Sequence, residues 1–575
     1  MRRSSRSERG FVLVWFALLM IVMLGVAAFA VDLGHAYLVG QQEQDAADAA
    51  ALSAASYLPD NCVNADPHAQ NIAAANGFPN GGVTQVTAVN GSTGGSGCDA
   101  DPTLSPNQIR VKVKTKVDTW FARAIGIDTL TVSRSSTGEY DPPVQLGSPS
   151  NVFGEAPGCV GCFQSNVWAN AAGKDNRKVD GNAIFENWCA NTSADNCSGN
   201  GQNNSDHDND GMLFQISNPK LENLNIELFD PGFVDDGQPS FAKPSCNDGS
   251  VYPLCTGDTT LSHQTAGAPA VTTKYTLYPL DNLSNPLGNP PVCSVTYPGY
   301  FSPAAAAAAN DRTAHSFHAW ANLATDAGGC GALNGSSYVL QVQSGDDFGG
   351  ASQAGSNMFS VAACTGCAPN QPQNDTNVAV SAITKMSLFT NALNAQPTFY
   401  LARVPSWAKS QFLTLSFFDI GDINGPSGQI GGALTVVSAD AVHSGSGIPI
   451  GEFSNCTYSH PASRGNTASD YISGQITPWD PNPPDTEWAT NPNTLQSLGG
   501  GCTAQVTINN STGASFWNGK WATFEIQIPS DYSCTDTDFT KCWVQIKYNW
   551  PAGAVLHDAT TWTATLSGNP VRLTK

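Results

Sequence analysis

One short loop carries side chains that could hold a metal ion. Asp206, Asp208 and Asp210 alternate in the string DHDNDG, which ends at Gly211. Alternating carboxylates that a glycine turns toward one point are hard oxygen ligands of the kind that Ca²⁺ prefers. The backbone carbonyl of Met212 would occupy the seventh position of such a loop. These four ligands predict a structural calcium site.

This loop lacks the last ligand of an EF-hand. Its twelfth position is Ser217 instead of the bidentate glutamate that closes an EF-hand loop. The missing ligand would come from Asp230, Asp235 or Asp236, which follow the next predicted strand. The alternative interpretation is an acidic, solvated turn without a metal.

The cysteines indicate disulfides rather than metal or redox chemistry. Two pairs have the C-x-x-C spacing, Cys159 with Cys162 and Cys364 with Cys367, which zinc sites and thiol redox centres also use. An even total of 16 cysteines suits an oxidising compartment, so we favour disulfides within these pairs or to a nearby strand. Further close neighbours predict loop-pinning disulfides: Cys62/Cys98, Cys189/Cys197, Cys246/Cys255, Cys293/Cys330, Cys456/Cys502 and Cys534/Cys542.

Charge and motifs argue against nucleic-acid binding and catalysis. The chain has 26 Lys and Arg against 47 Asp and Glu, a net charge of -21, and cannot neutralise phosphates along its length. The sequence contains no G-x-S-x-G, H-E-x-x-H or phosphate-binding G-x-x-x-x-G-K string. We therefore predict no nucleic-acid partner and no enzyme. A hydrolase with paired carboxylates on separate loops stays as a minor alternative, because such a site leaves no motif.

The N-terminal residues indicate where the protein is located. Residues 11–31 form an uncharged, apolar run. As a helix this run would be about 31 Å long, which matches a bilayer core of ~30 Å. Four arginines precede it and Asp32 follows it, so the N-terminus is predicted to be cytoplasmic and the bulk extracytoplasmic. We expect a single pass through the cell membrane; the alternative is a cleaved signal peptide.

The same helix is predicted to continue well past the apolar run. Residues 32–58 are rich in alanine, which favours helix, and contain no proline. Glu43, Asp45 and Asp48 lie among small residues that would allow another element to approach closely. One helix of nearly fifty residues, apolar first and amphipathic after, resembles a pilin stem.

Particular strings within this helix resemble one family. Arg9-Gly10, the string VDLG at 31–34, Tyr37, Gln44 and the string AADAAAL at 46–52 are similar to the N-terminal segment of TadE/TadG-like Flp pilus-assembly proteins. The resemblance implies a membrane-anchored accessory subunit with other Tad/Flp pilus components as partners. Pilin-type precursors usually carry Glu at the fifth mature position. Cleavage after Gly10 would place Trp15 there, so an accessory subunit fits better than a major pilin.

The remaining chain is predicted to be mainly β. Apolar and polar residues alternate over 109–117, as in a half-buried strand of a small α/β unit. Short β-branched and aromatic runs between Gly, Asn, Asp and Pro clusters then indicate tandem antiparallel β-sandwich domains. The predicted divisions are 1–58 for the basic start, transmembrane helix and stem, 59–140 for the α/β unit, 141–158 for a Pro/Gly/Ser-rich linker, and 159–363 and 364–575 for two sandwiches.

A faint internal repeat indicates those two sandwiches. The string FQIS at 214–217 resembles LARV at 401–404, and IELFDPG at 226–232 resembles LSFFDIG at 415–421. The string YVLQV at 338–342 likewise resembles WVQIK at 543–547.

Two functions follow from these features. The first is a non-catalytic surface protein of Flp pilus assembly or tight adherence. The second is a surface adhesin or glycan-binding protein presented on a membrane stem. Five tryptophans could stack on sugars or fill cores instead: Trp479, Trp488, Trp517, Trp521 and Trp562.

Overall fold

The computed structural model of the chain begins with one long helix, α1, at Arg9–Ala55. A helix of nearly fifty residues was expected from the sequence and is confirmed. The side chains of residues 12–26 are all exposed. From Asp32 onward, buried residues recur every three or four positions, which is the spacing of one helix face.

The structure describes the following residues: 9–58, 62–91, 100–176, 178, 181–186, 204, 206–235, 250, 254–260, 267–349, 352–392, 397–419, 423–424, 429–438, 456–459, 475–476, 496–498, 503–509, 521–530, 532–534, 538–549, 555–567 and 571–574. The chain divides into two compact units. Unit 1 comprises Met1–Pro142, Asn282–Ser284 and Asn569–Lys575, and unit 2 comprises Pro143–Asp281 and Asn285–Gly568.

The described residues of unit 1 include two α-helices and one antiparallel sheet. Helix α2 lies at Cys62–Ala75. The sheet order is β1-β2-β3-β27, with β1 at Thr84–Asn90, β2 at Gln108–Asp118, β3 at Thr129–Tyr140 and β27 at Val571–Thr574. Strand β2 buries Ile109, Val111, Val113 and Val117 on one face, as its alternating sequence predicts. The last strand of the chain therefore completes a sheet whose other strands come from the N-terminal region.

Unit 2 contains two large sheets. One has 11 strands in the order β10-β9-β12-β7-β14-β4-β16-β25-β19-β23-β21. The other has 12 strands: β11-β8-β13-β6-β15-β26-β17-β24-β20-β22, with β5 pairing to β13 and β18 to β26. The first strands are β4 Gln145–Leu146, β5 Val152–Phe153, β6 Val167–Ala172, β7 Met212–Ser217, β8 Leu224–Phe229, β9 Thr273–Pro279, β10 Cys293–Tyr297, β11 Trp320–Asn322, β12 Ser337–Ser344 and β13 Ser356–Thr365.

The later strands of unit 2 are β14 Ala379–Ile383, β15 Lys385–Ala392, β16 Thr398–Arg403, β17 Phe412–Phe418, β18 Ile423–Asn424, β19 Gln429–Ser438, β20 Cys456–Ser459, β21 Gln475–Ile476, β22 Gln496–Leu498, β23 Thr503–Asn509, β24 Trp521–Gln527, β25 Trp543–Asn549 and β26 Val555–Leu566. Three short α-helices also lie in the described part of this unit: α3 at Pro303–Ala309, α4 at Arg312–Ser316 and α5 at Leu323–Ala327.

The two sheets pack face to face around one apolar core. Phe214 of the first sheet meets Phe359 of the second with ring centroids 6.3 Å apart. Farther along, Phe399 of the first sheet meets Trp562 of the second at 6.1 Å. Paired antiparallel sheets with buried inner faces are β-sandwich architecture, so the predicted fold class is confirmed.

The repeated strings lie at equivalent places in these sheets. Each sheet can be divided at a join near its middle, which lies between β14 and β4 in one sheet and between β6 and β15 in the other. Counted outward from these joins, β7 and β16 are both second, while β12 and β25 are both third. In the other sheet, β8 and β17 are both third. The three pairs of similar strings thus fall on three pairs of equivalent strands.

The expected segments 159–363 and 364–575 share both sheets instead of forming separate ones. Strand β14 pairs with β7 of the earlier segment, and β4 pairs with β16 of the later one. If β4, which lies in the segment predicted to be a linker, is counted with the earlier half, the two halves exchange their first strands. This exchange was hidden because strand partners distant in sequence leave no local pattern.

The segment 141–158, predicted to be a linker, is instead part of the fold. Leu146 and Phe153 lie fully buried in the core, and β5 pairs with β13. The short strands contain only two residues each, too few for a periodic pattern. The C-terminal residues 571–574, predicted to belong to the second sandwich, belong instead to the sheet of unit 1.

Four of the predicted disulfides lie within the described residues. Bonds join Cys159 to Cys162, Cys293 to Cys330, Cys364 to Cys367, and Cys534 to Cys542. Cys62 and Cys255 are also disulfide-bonded, and their predicted partners Cys98 and Cys246 lie outside the described residues. No free cysteine occurs in the part of the chain that the structure describes.

Candidate functional site

The first charged residue after the apolar run is anchored in unit 1. Asp32 is 4% exposed, and its carboxylate accepts three backbone hydrogen bonds. The donors are the N–H groups of Trp120 at 2.8 Å, Phe121 at 3.0 Å and Ala122 at 2.6 Å. One carboxylate therefore satisfies the start of the short 3₁₀ turn at Ala122–Ile125 and fixes this turn to α1. The aspartate of the VDLG string has a structural role.

The polar half of α1 packs its alanine face on the sheet of unit 1. Ala47, Ala50 and Ala54 are fully buried on that face. Strand β3 approaches the helix so closely at Gly138 that a Cβ atom there would lie 2.3 Å from the Ala51 carbonyl oxygen. Alanine on the helix and glycine on the strand together allow the two backbones to touch.

A buried carboxyl group interrupts this apolar face. Glu43 is fully buried on α1. Burial raises the pKa of the Glu43 carboxyl, and the neighbouring Thr115 and Arg134 oppose that rise. The charged form of Glu43 is therefore less favourable in the folded unit than in the unfolded chain.

Strand β27 is held by ion pairs as well as by its backbone. The Arg572 guanidinium contacts the Glu139 carboxylate at 2.6 Å and the Asp141 carboxylate at 2.5 Å. Both acidic side chains are mostly buried. These ion pairs therefore help to fix the position of the C-terminal strand beside β3.

The structure places the predicted calcium ligands beside lysines. Asp206 accepts hydrogen bonds from the Lys178 ammonium at 2.6 Å and from the Trp521 indole N–H at 2.9 Å. Asp208 pairs with Lys385, whose pKa burial lowers to about 8. The contacts of Trp521 and of these two lysines with the aspartates were not found from the sequence, because the partners are not neighbours along the chain.

The other two predicted ligands lie at the end of the loop and at the start of β7. Asp210 lies in the exposed turn, and its N–H donates to Asp208. Met212 is buried at the start of β7, where its sulfur accepts the Ser387 N–H. Within the described residues, no three His, Cys, Asp or Glu side chains are grouped so that they could hold a metal ion. The calcium site stays a prediction, and the lysine pairs do not support it.

Unit 2 also has an open, polar cleft of about 460 Å³ beside α4 and α5. Beneath it, the fully buried Glu227 carboxylate accepts hydrogen bonds from the Asn322 amide at 2.8 Å and the Asn370 N–H at 3.1 Å. Burial raises the pKa of Glu227 to about 7, although both bonds oppose the shift. The cleft is lined by Asp311, Arg312, His315, Ser316, Trp320, Ala321, Thr325, Asp326 and Asn370.

Comparisons with known proteins match only the N-terminal region. Residues 10–56 match the model of putative TadE/G-like Flp pilus-assembly proteins, and residues 42–137 match that of putative Tad-like Flp pilus-assembly proteins. Together the matches cover less than a quarter of the chain, and no curated protein matches it significantly. Helix α1, which the first model covers, is the one helix among the described residues that is long and apolar enough to cross a membrane. The N-terminal region is therefore similar to the Tad-type Flp pilus-assembly proteins, which confirms the resemblance found in its sequence.

Proposed function

We propose that this chain is a membrane-anchored, non-catalytic subunit associated with Flp pilus assembly or tight adherence. Its N-terminus would lie in the cytoplasm, α1 would cross the cell membrane once, and units 1 and 2 would lie outside. Its partners would be the membrane and other Tad/Flp pilus components.

One observation carries this proposal: α1 has two halves with opposite surroundings. Residues 12–26 expose large apolar side chains on every side, which suits lipid or other apolar helices. From Asp32 to Ala55 the same helix buries one face against the sheet of unit 1. A continuous helix with one lipid-compatible half and one folded half is what a membrane-anchored stem requires.

The charge distribution favours one orientation. The four arginines in residues 2–9 precede the apolar run, and the remaining chain is strongly acidic. Positive charge close to a transmembrane helix favours the cytoplasmic side. The disulfides of both units agree with an extracytoplasmic location, because such bonds persist in oxidising compartments.

Immunogold electron microscopy of the tagged full-length protein tests the pilus role. We expect label along pili or at their bases, and we expect that pattern to disappear in a strain without the pilus-secretion ATPase. An unrelated single-pass membrane protein with the same tag is the control. Label spread evenly over the envelope in both strains would contradict the proposal and favour an adhesin.

The polar cleft of unit 2 favours a second candidate, a surface adhesin or glycan-binding protein. Charged groups beside one partly exposed indole, that of Trp320, are the kind of surface on which sugars stack and form hydrogen bonds. The tryptophans singled out in the sequence give less support. Trp562 is fully buried in the core, and Trp521 is half-buried and bonded to Asp206. Trp479, Trp488 and Trp517 lie outside the described residues.

A glycan array probed with the full-length protein in detergent tests this candidate. The candidate would be supported if His315→Ala, in the cleft, abolished binding and Lys220→Ala, on an exposed turn, preserved it. Binding that survives His315→Ala and Arg312→Ala would place the ligand elsewhere. An array without any binding would remove the support for a glycan ligand.

A further inference from the structure

An exposed apolar loop lies beside α1 just beyond the end of its uncharged run. This Trp120 loop, residues 119–128, joins β2 to β3. Trp120 is 61% exposed, Phe121 51% and Ile125 72%. Large apolar side chains that stay this exposed together in one short loop usually mark a binding surface.

The loop is held in a defined shape. The Thr119 hydroxyl donates to the Ile127 carbonyl, and the Thr119 N–H donates to the Asp128 carbonyl at 3.0 Å. Gly126 closes the 3₁₀ turn with a φ of 86°, a left-handed conformation that glycine adopts without strain. The exposed side chains are therefore presented by a closed turn.

Contacts with α1 fix the level of the loop along the helix. The Asp32 carboxylate binds the N–H groups of Trp120 and Phe121, and the His35 ring stacks on the Trp120 ring with centroids 4.6 Å apart. Asp32 follows directly after the apolar run. At 1.5 Å per residue, a helix that spans the ~30 Å bilayer core over that run places Asp32 at the headgroup boundary.

The chemistry of the loop matches a headgroup region. Tryptophan concentrates at membrane interfaces because its ring is apolar and its N–H is polar. The loop also carries Arg123, which pairs with Asp128 at 3.5 Å and lies largely exposed. Arginine can keep its charge among lipid headgroups while its stem contacts apolar chains. Nearby on α1, Tyr37 is exposed as well.

We infer that the Trp120 loop inserts into the outer headgroup region of the lipid bilayer beside α1 and holds unit 1 at the membrane surface. This inference rests on the proposed membrane span of α1. It assigns the VDLG aspartate a purpose beyond folding, because Asp32 then connects the end of the spanning segment to a second contact with the lipid.

Fluorescence quenching in vesicles tests the inference with the full-length protein. The vesicles contain phosphatidylcholine and phosphatidylglycerol, with a fraction of the phosphatidylcholine brominated either near the headgroup or near the chain end. The emission of Trp120 is obtained as the difference between wild type and Trp120→Phe, since phenylalanine keeps a ring against His35. The emission of Trp15, within the apolar run, is obtained in the same way from Trp15→Phe.

We expect Trp15 to be quenched, and Trp120 to be quenched more by bromine near the headgroup than by bromine near the chain end. Quenching of Trp15 without quenching of Trp120 would overturn the loop insertion and leave the membrane span intact. That result would also be expected if a partner protein covered the loop instead of lipid. Quenching of neither residue would overturn both the span and the loop insertion.

A second pair of variants tests whether the quenching of Trp120 depends on the apolar surface of the loop. Ile125→Asp puts a charge at the most exposed apolar position of the loop and should reduce the quenching of Trp120. Val63→Asp is the matched control, because Val63 is 52% exposed in unit 1. It lies in the first turn of α2, whose His68 contacts Ser53, about 30 Å along α1 from Asp32. Equal loss of quenching in both variants would contradict the inference.

Discussion

Unit 1 and unit 2 fill their interiors with side chains of very different size. The face of α1 that packs on the sheet of unit 1 is mostly alanine, and Gly138 touches it with its backbone. The core of unit 2 is built from Trp562, Phe214, Phe359 and many other large apolar side chains. Small residues allow close backbone contact and leave no room for added atoms, whereas large residues stabilise by the area they bury. The two units should therefore fail under opposite kinds of substitution.

The largest expected effect is the removal of a large side chain from unit 2. Trp562 is fully buried and packs edge-on against Phe399 and Phe417. Trp562→Ala should lower the free energy of unfolding of unit 2 by about 3–5 kcal/mol, since it removes buried area and leaves a cavity. Hydrogen exchange of the full-length protein should show faster exchange in β16, β17 and β26.

Val160→Ala is the control for that substitution, because Val160 is 81% exposed in the same unit. It should leave the exchange of unit 2 unchanged. If Trp562→Ala changed unit 2 as little as the control does, the aromatic core would not be what stabilises this unit.

The next effect is the addition of a single carbon to unit 1. Gly138→Ala would place a Cβ atom 2.3 Å from the Ala51 carbonyl oxygen, so α1 and β3 must separate. We expect a loss of about 1–3 kcal/mol in the stability of unit 1. Hydrogen exchange in α1 and β3 measures it.

Two glycines on α1 provide a graded control for Gly138. At Gly34 nothing lies within 4 Å of the added carbon, and at Gly40 the nearest atom is the flexible end of Arg134 at 3.1 Å. Alanine at position 34 should stabilise slightly because of its helix propensity, and alanine at position 40 should have an intermediate effect. An equal response at all three positions would refute close packing as the cause.

A smaller effect concerns the ion pairs that hold β27 beside β3. Arg572→Ala removes both ion pairs to Glu139 and Asp141 and should destabilise the edge of β3 by about 1–2 kcal/mol. The exchange of β3 amides in the full-length protein measures the loss. Arg123→Ala is the control, because the ion pairs of Arg123 are exposed. Unchanged hydrogen exchange of the β3 amides in Arg572→Ala would mean that backbone pairing alone holds β27.

The sequence predicted the local elements of both units and missed the distant connections. The long α1 and the alternating strand β2 could be read from composition and period, because both patterns lie within one continuous segment. The missed connections join partners that are not neighbours along the chain. They are the pairing of β27 with β3, the exchange of β4 and β14, and the contacts of two lysines with Asp206 and Asp208. Such contacts are decided by packing, and a two-residue strand such as β4 has no period to detect.

The pH dependence of unit 1 should reveal its buried carboxyl group. The pKa of Glu43 is raised in the folded state, so its contribution to stability is complete below its unfolded pKa and is lost as the pH rises through the folded pKa. Glu43→Gln should therefore become progressively more stable than wild type as the pH rises above about 4.5, the ordinary glutamate value. The measurement is thermal melting of unit 1 across that range. Asp45→Asn, on the exposed side of the same turn, is the matched control, and a pH-independent difference for Glu43→Gln would contradict the assignment.

The smallest expected effect concerns calcium at the loop of Asp206, Asp208 and Asp210. A bound calcium ion at 100 times its dissociation constant would stabilise the protein by about 2.7 kcal/mol. In the structure, however, Lys178 and Lys385 already neutralise two of the carboxylates, and a calcium ion would have to displace them. We therefore expect no rise in the melting temperature of unit 2 on adding CaCl₂, beyond that given by KCl at equal ionic strength. The variants Lys178→Met and Lys385→Met sharpen the test. A calcium-specific rise for the wild type would contradict this expectation and would mean that the ion displaces the lysine pairs. In that case the two variants should bind calcium more tightly than the wild type.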